Sequence, residues 1–398
     1  MKKQVLIAGG GIGGLAAALG ASRAGWDVRL YERATAFSEV GAGVQLGPNV
    51  VRRLQAWGLQ QPLQAVAAFP GRLQVRSAAS GRELAVLPLG ATAVERYGAA
   101  YATIHRADLH GLLLAALTKY TETRFHLDHA IDSFADDGDA VTVRTNRGKE
   151  VEGDALIGAD GLWSRMRTQL LGPVPPRVTG HLAYRALVPQ HALPEALRTQ
   201  QVTAWLGPRL HAVQYPVRRG ELQNIVVVVQ GPPPQDLENW DHAANAAGLE
   251  HALQGTCAAL QDVVRSVPAW RLWPLCDRPP VRSAGDMARG LVALLGDAAH
   301  PMRPYLAQGA GMAIEDAAEL QRALSMHDLD VPLRLTRYAL NRWQRNARVQ
   351  ARSTRNGRIF HATGPVRWGR DASLRLLGER LLDVPWLYRG DGSSASSL

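Results

Sequence analysis

Short apolar runs bounded by glycine alternate along this chain with stretches of period-two and period-3.6 patterning. Val5-Leu6-Ile7-Ala8 is one such run, and glycines follow it at once, as expected of a strand buried on both faces of a parallel sheet. Leu15 to Ala24 is alanine-rich and predicts a helix, with Gly25 placed to end it. Val28-Arg29-Leu30-Tyr31 predicts the next strand and closes a βαβ unit over residues 4–33. Residues 72–86, 139–151, 180–190, 200–216 and 223–230 alternate apolar and polar and predict antiparallel strands. Residues 231–236 predict a loop, 246–266 a helix, and Leu291–Leu295 a return to the parallel pattern. Residues 309–325 and 330–356 predict amphipathic helices, and the Gly/Ser-rich tail Gly390–Leu398 predicts disorder.

The pattern therefore predicts an α/β fold in which an α/β domain is interrupted by an antiparallel-sheet domain and then resumed, with C-terminal helices. The expected bounds are 1–70, 100–175 and 275–360 for the first domain and 71–99 and 176–274 for the sheet domain. A C-terminal helix and tail would take 361–398.

A chain of 398 residues can bury a large core without disulfide staples. Cys257 and Cys276 carry no C-x-x-C or flanking histidine motif, so they are read as inert thiols of a reducing compartment, with no metal expected. No stretch reaches 18 apolar residues, and the N-terminal apolar run is too short for a signal peptide. The expectation is a cytoplasmic protein with no membrane span. The net charge of +10 is almost all arginine, since Lys2, Lys3, Lys119 and Lys149 are the lysines. The arginines are scattered instead of forming a stripe with interleaved aromatics, which argues against nucleic acid and for a field that draws in anionic small molecules.

Three motifs carry chemistry. Gly9, Gly11 and Gly14 make a G-x-G-x-x-G that follows a strand and opens a helix, with Gly13 beside them. The first glycine permits the turn, the second lets the backbone approach a pyrophosphate, and the third lets helix and strand pack closely. The helix N-terminus supplies N–H groups for the phosphates, and Glu32, ending the second strand, can accept from ribose hydroxyls. This is a Rossmann-like dinucleotide site, with FAD and NAD both open. The second motif, Asp160-Gly161-Leu162-Trp163-Ser164-Arg165, follows the run Ala155-Leu156-Ile157-Gly158-Ala159. The third, Gly296-Asp297-Ala298-Ala299-His300-Pro301, follows Val292-Ala293-Leu294-Leu295. An aspartate just past a buried strand can accept from a polyol such as the ribityl chain of a flavin. The following Gly309-Ala310-Gly311 opens a helix whose N-terminus can stabilise negative charge on the flavin's pyrimidine.

In order and spacing, these motifs resemble the class A flavoprotein aromatic hydroxylases over roughly residues 4–356. The resemblance implies an FAD-binding domain, noncovalent FAD, and NADH or NADPH taken up without a separate domain, the Asp160 motif serving both. It places Gly43 and Val44 in a flavin-facing loop, Arg106 near the FAD pyrophosphate and Ile131 near the adenine. Arg33, after Glu32, would help with the same ribose. Gln45, Pro301, Pro304 and Tyr305 would line the substrate and oxygen site.

Period-two spacing puts His211, Val213 and Tyr215 on one strand face, and the 3-hydroxybenzoate 6-hydroxylases carry a similar His and Tyr facing the substrate. A free phenol titrates near ~10, so activating it at neutral pH needs a base, and an imidazole with a reference pKa near ~6.5 suits the role. The resemblance thus implies a small phenolic acid, 3-hydroxybenzoate- or salicylate-like, hydroxylated with O2 through a C4a-hydroperoxyflavin. His211 and Tyr215 would be catalytic. An enzyme of the 6-hydroxynicotinate type is the alternative, though histidines it carries are absent at Gln45 and Tyr305. A flavin-linked oxidase or dehydrogenase without oxygen insertion also stays open, as does a protein that binds only a nicotinamide nucleotide.

Overall fold

Val5, Leu6 and Ile7 are fully buried in the computed structural model, which describes residues 2–37, 41–239, 242–244 and 246–390. Their strand, Gln4–Ala8, lies between Asp27–Glu32 and Ala155–Gly158, paired in parallel with both (Val5↔Val28, Val5↔Ala155). Val292–Leu294 adds beyond Ala155–Gly158 and Thr123–Leu127 beyond Asp27–Glu32, again in parallel, and Ala288–Arg289 forms an antiparallel edge. The helices Ile12–Arg23 and Gly309–Leu324 pack so closely that a Cβ on Gly20 would sit 2.6 Å from the carbonyl oxygen of Ala317. The predicted strands at 139–151 are the hairpin Val141–Thr145 and Glu150–Gly153, which joins Ile131–Asp136 in a separate three-stranded sheet.

The chain divides into two compact units, each made of three segments. The first comprises Met1–Glu39, Ala107–Arg177 and Cys276–Thr354, and the second Val40–Arg106, Val178–Leu275 and Arg355–Leu398. Residues 40–70 and 100–106, expected in the α/β domain, group with the second unit, and so does the segment from 355. The reason is pairing: Gly43–Leu46 runs antiparallel to Ala102–His105, and the Gly43 N–H donates to Asn224 Oδ1 at 2.7 Å within that unit. Two short apolar strands 60 residues apart carry no pattern that shows which sheet owns them.

The second unit is built on an eight-stranded sheet. Leu222–Gln230, Leu210–Val217 and Val202–Gly207 are antiparallel neighbours, and Val202–Gly207 pairs in parallel with Arg72–Ser77, the exception to the antiparallel expectation. The stretch 200–216 is a hairpin that turns at Arg209, whose φ is +59°. The predicted helix 246–266 is two helices, Ala246–Ala252 and Ala258–Arg265, separated by Gly255 at φ +80°. Leu210, Ala212, Ile225 and Val227 pack with Leu249, Leu260, Val263 and Val264 into one apolar cluster. Period-two alternation then puts His211, Val213 and Tyr215 on the opposite face of the sheet. Among the described residues no helix is long and apolar enough to cross a membrane. The predicted disorder of the tail concerns 391–398, which lie outside the described residues.

Candidate functional site

Each motif in the first unit directly follows a strand of the parallel sheet: the glycine loop after Ala8, Glu32 at the end of its strand, Asp160 after Gly158, and Asp297 after Leu294. Neighbouring parallel strands therefore bring all four to one carboxyl edge, where open α/β sheets bind ligands. Gly9 has φ +99°, and a Cβ there would meet the Ala159 carbonyl oxygen at 2.5 Å. A Cβ on Gly14 would lie 1.9 Å from the Gly9 oxygen, so that position tolerates no side chain. A Cβ on Gly11 would meet nothing within 4 Å, so space opens before the helix N-terminus. That helix has no side-chain cap at Gly11, which leaves its N-terminal dipole to act on whatever lies ahead.

Glu32 does more than the sequence suggests. Its carboxylate accepts the Gly10 N–H at 2.6 Å and the Ala34 N–H at 2.8 Å, and so fixes the glycine loop. His110 donates from Nε2 to the Gly10 carbonyl at 2.8 Å, a second support that sequence reasoning missed. Arg33 is exposed, and Ile131 is buried at the start of its strand. Asp160 accepts from Ser164 Oγ (2.5 Å), Arg165 N (2.8 Å) and Met166 N (3.2 Å). Its carboxylate is thus spent on starting the Arg165–Leu171 helix. Burial raises its pKa, with these hydrogen bonds opposing.

Asp297 and Gly309 lie together: a Cβ on Gly309 would be 4.0 Å from Asp297 Oδ1. Gly309–Leu324 starts without a side-chain cap, and a Cβ on Gly13 would touch Ala313 at 3.6 Å, so the two helix N-termini converge on this edge. Two glycine-lined helix ends and a nearby carboxylate suit a ligand with a pyrophosphate and a polyol. The loop that carries Asp297 is held from behind. Arg167 donates to the carbonyls of Ala298 and Ala299, Gln350 to that of Pro301, and His300 Nε2 meets Asp316 Oδ2 at 2.5 Å. Pro304 is exposed, whereas Tyr305 is 4% exposed and burial raises its phenol pKa.

In the second unit, the expected flavin-facing loop and the expected catalytic tyrosine meet. A Cβ on Gly43 would lie 2.6 Å from the Tyr215 ring and 2.8 Å from Asn224. Gln45, two residues along, accepts from Tyr101 Oη at 2.7 Å. Burial keeps the Tyr215 phenol protonated well above its ordinary range, countered only in part by Gln45 and Asn224. Arg106 begins the Arg106–Leu117 helix and donates its backbone N–H to the Ala42 carbonyl. Val44 pairs with Ile104. His211 lies on the same sheet face as Tyr215 but has other neighbours: its Nδ1 is 2.8 Å from His361 Nε2, and Phe360 stands edge-on to it. Burial first, then His361 and His181, push its pKa well below the usual histidine value, so it is neutral. His361, 150 residues away in sequence, has no local motif that could have flagged it.

A family model described as FAD binding domain matches residues 2–360. The 3-hydroxybenzoate 6-hydroxylase of Polaromonas naphthalenivorans is 38% identical over 387 residues, which is 96% of this chain and 95% of that protein. The chain belongs to the class A FAD-dependent aromatic hydroxylases. FAD is the cofactor of this hydroxylase. It is also 37% identical to the 6-hydroxynicotinate 3-monooxygenase of Bordetella bronchiseptica over 357 residues, 88% of this chain and 90% of that protein. A salicylate hydroxylase substrate complex has the same fold, with a TM-score of 0.83 and 28% identity over 98% of this hydroxylase and 96% of that chain.

Proposed function

We propose that this hydroxylase acts on a small phenolic acid of the 3-hydroxybenzoate or salicylate type, with NADH or NADPH as reductant and O2 as oxidant. We place it in the cytoplasm, where its two free thiols, Cys257 and Cys276, persist. The observation that carries the substrate class is the sheet face that holds a neutral imidazole and a neutral phenol together, with Tyr215 packed onto Gly43.

Gly9, Gly11, Gly13, Gly14 and Glu32 would hold the nucleotide end of FAD. Asp297 would hold the ribityl chain, and Gly309 and Ala310 the pyrimidine edge. Bound FAD supplies the acceptor for the nicotinamide hydride and the centre at which O2 is activated. His211, uncharged in its buried setting, accepts the phenolic proton and makes the ring electron-rich. Tyr101 holds Gln45 by its amide oxygen, which turns the amide nitrogen toward Tyr215. Tyr215 then keeps its own proton to donate to the substrate oxygen. The same lock on Gln45 favours a benzoate over the pyridine substrate of the Bordetella relative.

Screening NADH and NADPH oxidation against hydroxybenzoates, with product identification, tests this reading. Stimulated oxidation with a dihydroxylated product is expected. His211→Ala should keep its FAD and still oxidise the nicotinamide, but lose product by about 10²–10⁴-fold and release hydrogen peroxide instead. Wild-type coupling in that variant would show that the strand is only structural.

A further inference from the structure

The chain leaves its longest helix, Val331–Phe360, directly into His361. Arg370 fixes this exit: its guanidinium donates to the Ile359 carbonyl at 3.1 Å and the Phe360 carbonyl at 2.7 Å. The Arg209 N–H, at the turn of the hairpin that carries His211, donates to the His361 carbonyl at 3.1 Å. The backbone on both sides of His361 is thus tied down, and its ring is set 2.8 Å from His211 Nδ1. Both rings are buried, at 4% and 5% exposure. On its other face His361 stacks on His181, with centroids 4.7 Å apart and planes 14° apart. His181 itself is half-buried, so the row of three rings runs from a buried strand position toward solvent.

We propose that His361 is a positioning and relay residue for the substrate's proton. This rests on the reading that His211 is the base. A buried imidazole that took a phenolic proton and kept its own would become a cation in a low-dielectric setting, which is costly. The His361 contact moves that charge one ring away, toward half-buried His181. The relay uses the tautomer in which His211 Nδ1–H donates to His361 Nε2, which leaves His211 Nε2 as the acceptor for the phenol. As the phenolic O–H breaks and Nε2–H forms on His211, the Nδ1–H of His211 breaks and Nε2–H forms on His361. His211 stays neutral, having exchanged one tautomer for the other. The positive charge then sits on His361, one ring further from the substrate, against the stacked ring of half-buried His181. The strand neighbours of His211 are Leu206 and Val228, so His361 and His181 are the titratable groups that face it.

The test uses the FAD-loaded full chain. His361→Gln retains an acceptor for His211 but cannot pass a proton on. It should keep its FAD content and its substrate KM within about twofold, while coupled product formation falls at least tenfold, a modest share of the usual acid–base contribution. Without the charge-depressing neighbour, His211 titrates closer to its ordinary value, so the acid limb of kcat/KM should move to higher pH. His361→Ala should behave likewise and regain rate with added imidazole. Wild-type rate, coupling and pH profile in both variants, while His211→Ala uncouples, would overturn the relay and leave the base assignment standing. Wild-type behaviour in His211→Ala as well would overturn both.

Discussion

Glu32 has a structural duty beside the ribose contact proposed for it. As a ribose acceptor it would contribute a contact near solvent. The structure adds a second duty, since the same carboxylate holds the N–H groups of Gly10 and Ala34 and so sets the glycine loop. Hydrogen bonds to a charged group contribute roughly 1.5–3 kcal/mol. Glu32→Ala should therefore weaken FAD binding by at least about tenfold and lower Tm, whereas Glu32→Gln, which keeps one acceptor oxygen, should lose less of both. FAD dissociation constants by fluorescence release, with melting curves, check this. An unchanged Tm in Glu32→Ala would confine Glu32 to the ribose. The carboxylate's place at the end of a strand was legible in the sequence because it follows a local pattern. Its grip on Gly10, 22 residues upstream, was not, because it depends on two strands lying side by side.

At the scale of elements, Gly309–Leu324 is fastened to Val331–Phe360 by a buried charge network. Arg342, 1% exposed, donates to Asp316 Oδ1 at 2.8 Å and to Glu315 Oε2 at 2.9 Å, and Arg345 adds bonds to both Glu315 oxygens. The same Asp316 carboxylate holds His300 and so the loop of Asp297. Removing one partner of a buried pair costs about 3–5 kcal/mol, because the other charge is left uncompensated. Arg342→Met should destabilise the chain by that amount in urea unfolding at neutral pH, with a loss of FAD affinity as the Asp297 loop loosens. Burial pushes the Asp316 pKa up, but His300, Arg342 and Asn346 outweigh it and hold it well below the carboxylate range. A depressed folded pKa gives stability that is complete above the ordinary value near ~3.9 and is lost as pH falls below it, so the variant and the wild type should converge in acid. A deficit below 1 kcal/mol at neutral pH would count against the network. Nothing in the periodicity of either helix announces it: Arg342 reads as a polar position on an amphipathic helix until a second helix is laid against it.

For the molecule as a whole, the α/β architecture and the edge that gathers the glycine loop, Glu32 and Asp297 followed from short patterns, each a strand, then a turn, then a helix. The division into units did not, because Gly43–Leu46 and Ala102–His105 take their place from pairing with each other. The face proposed for the substrate was legible in part. Period two gave the common face of His211 and Tyr215, but their separate partners, His361 for one and Gly43, Gln45 and Asn224 for the other, come from distant segments. The central claim is that these parts insert one oxygen atom of O2 into a phenolic acid. Turnover under ¹⁸O2 with 3-hydroxybenzoate and with salicylate, followed by mass spectrometry, tests it directly. At least one substrate should give a product that carries a single ¹⁸O, formed in near-equal amount to the NAD(P)H consumed. NAD(P)H oxidation that yields only peroxide, or a product without the label, for every phenolic acid accepted would contradict it.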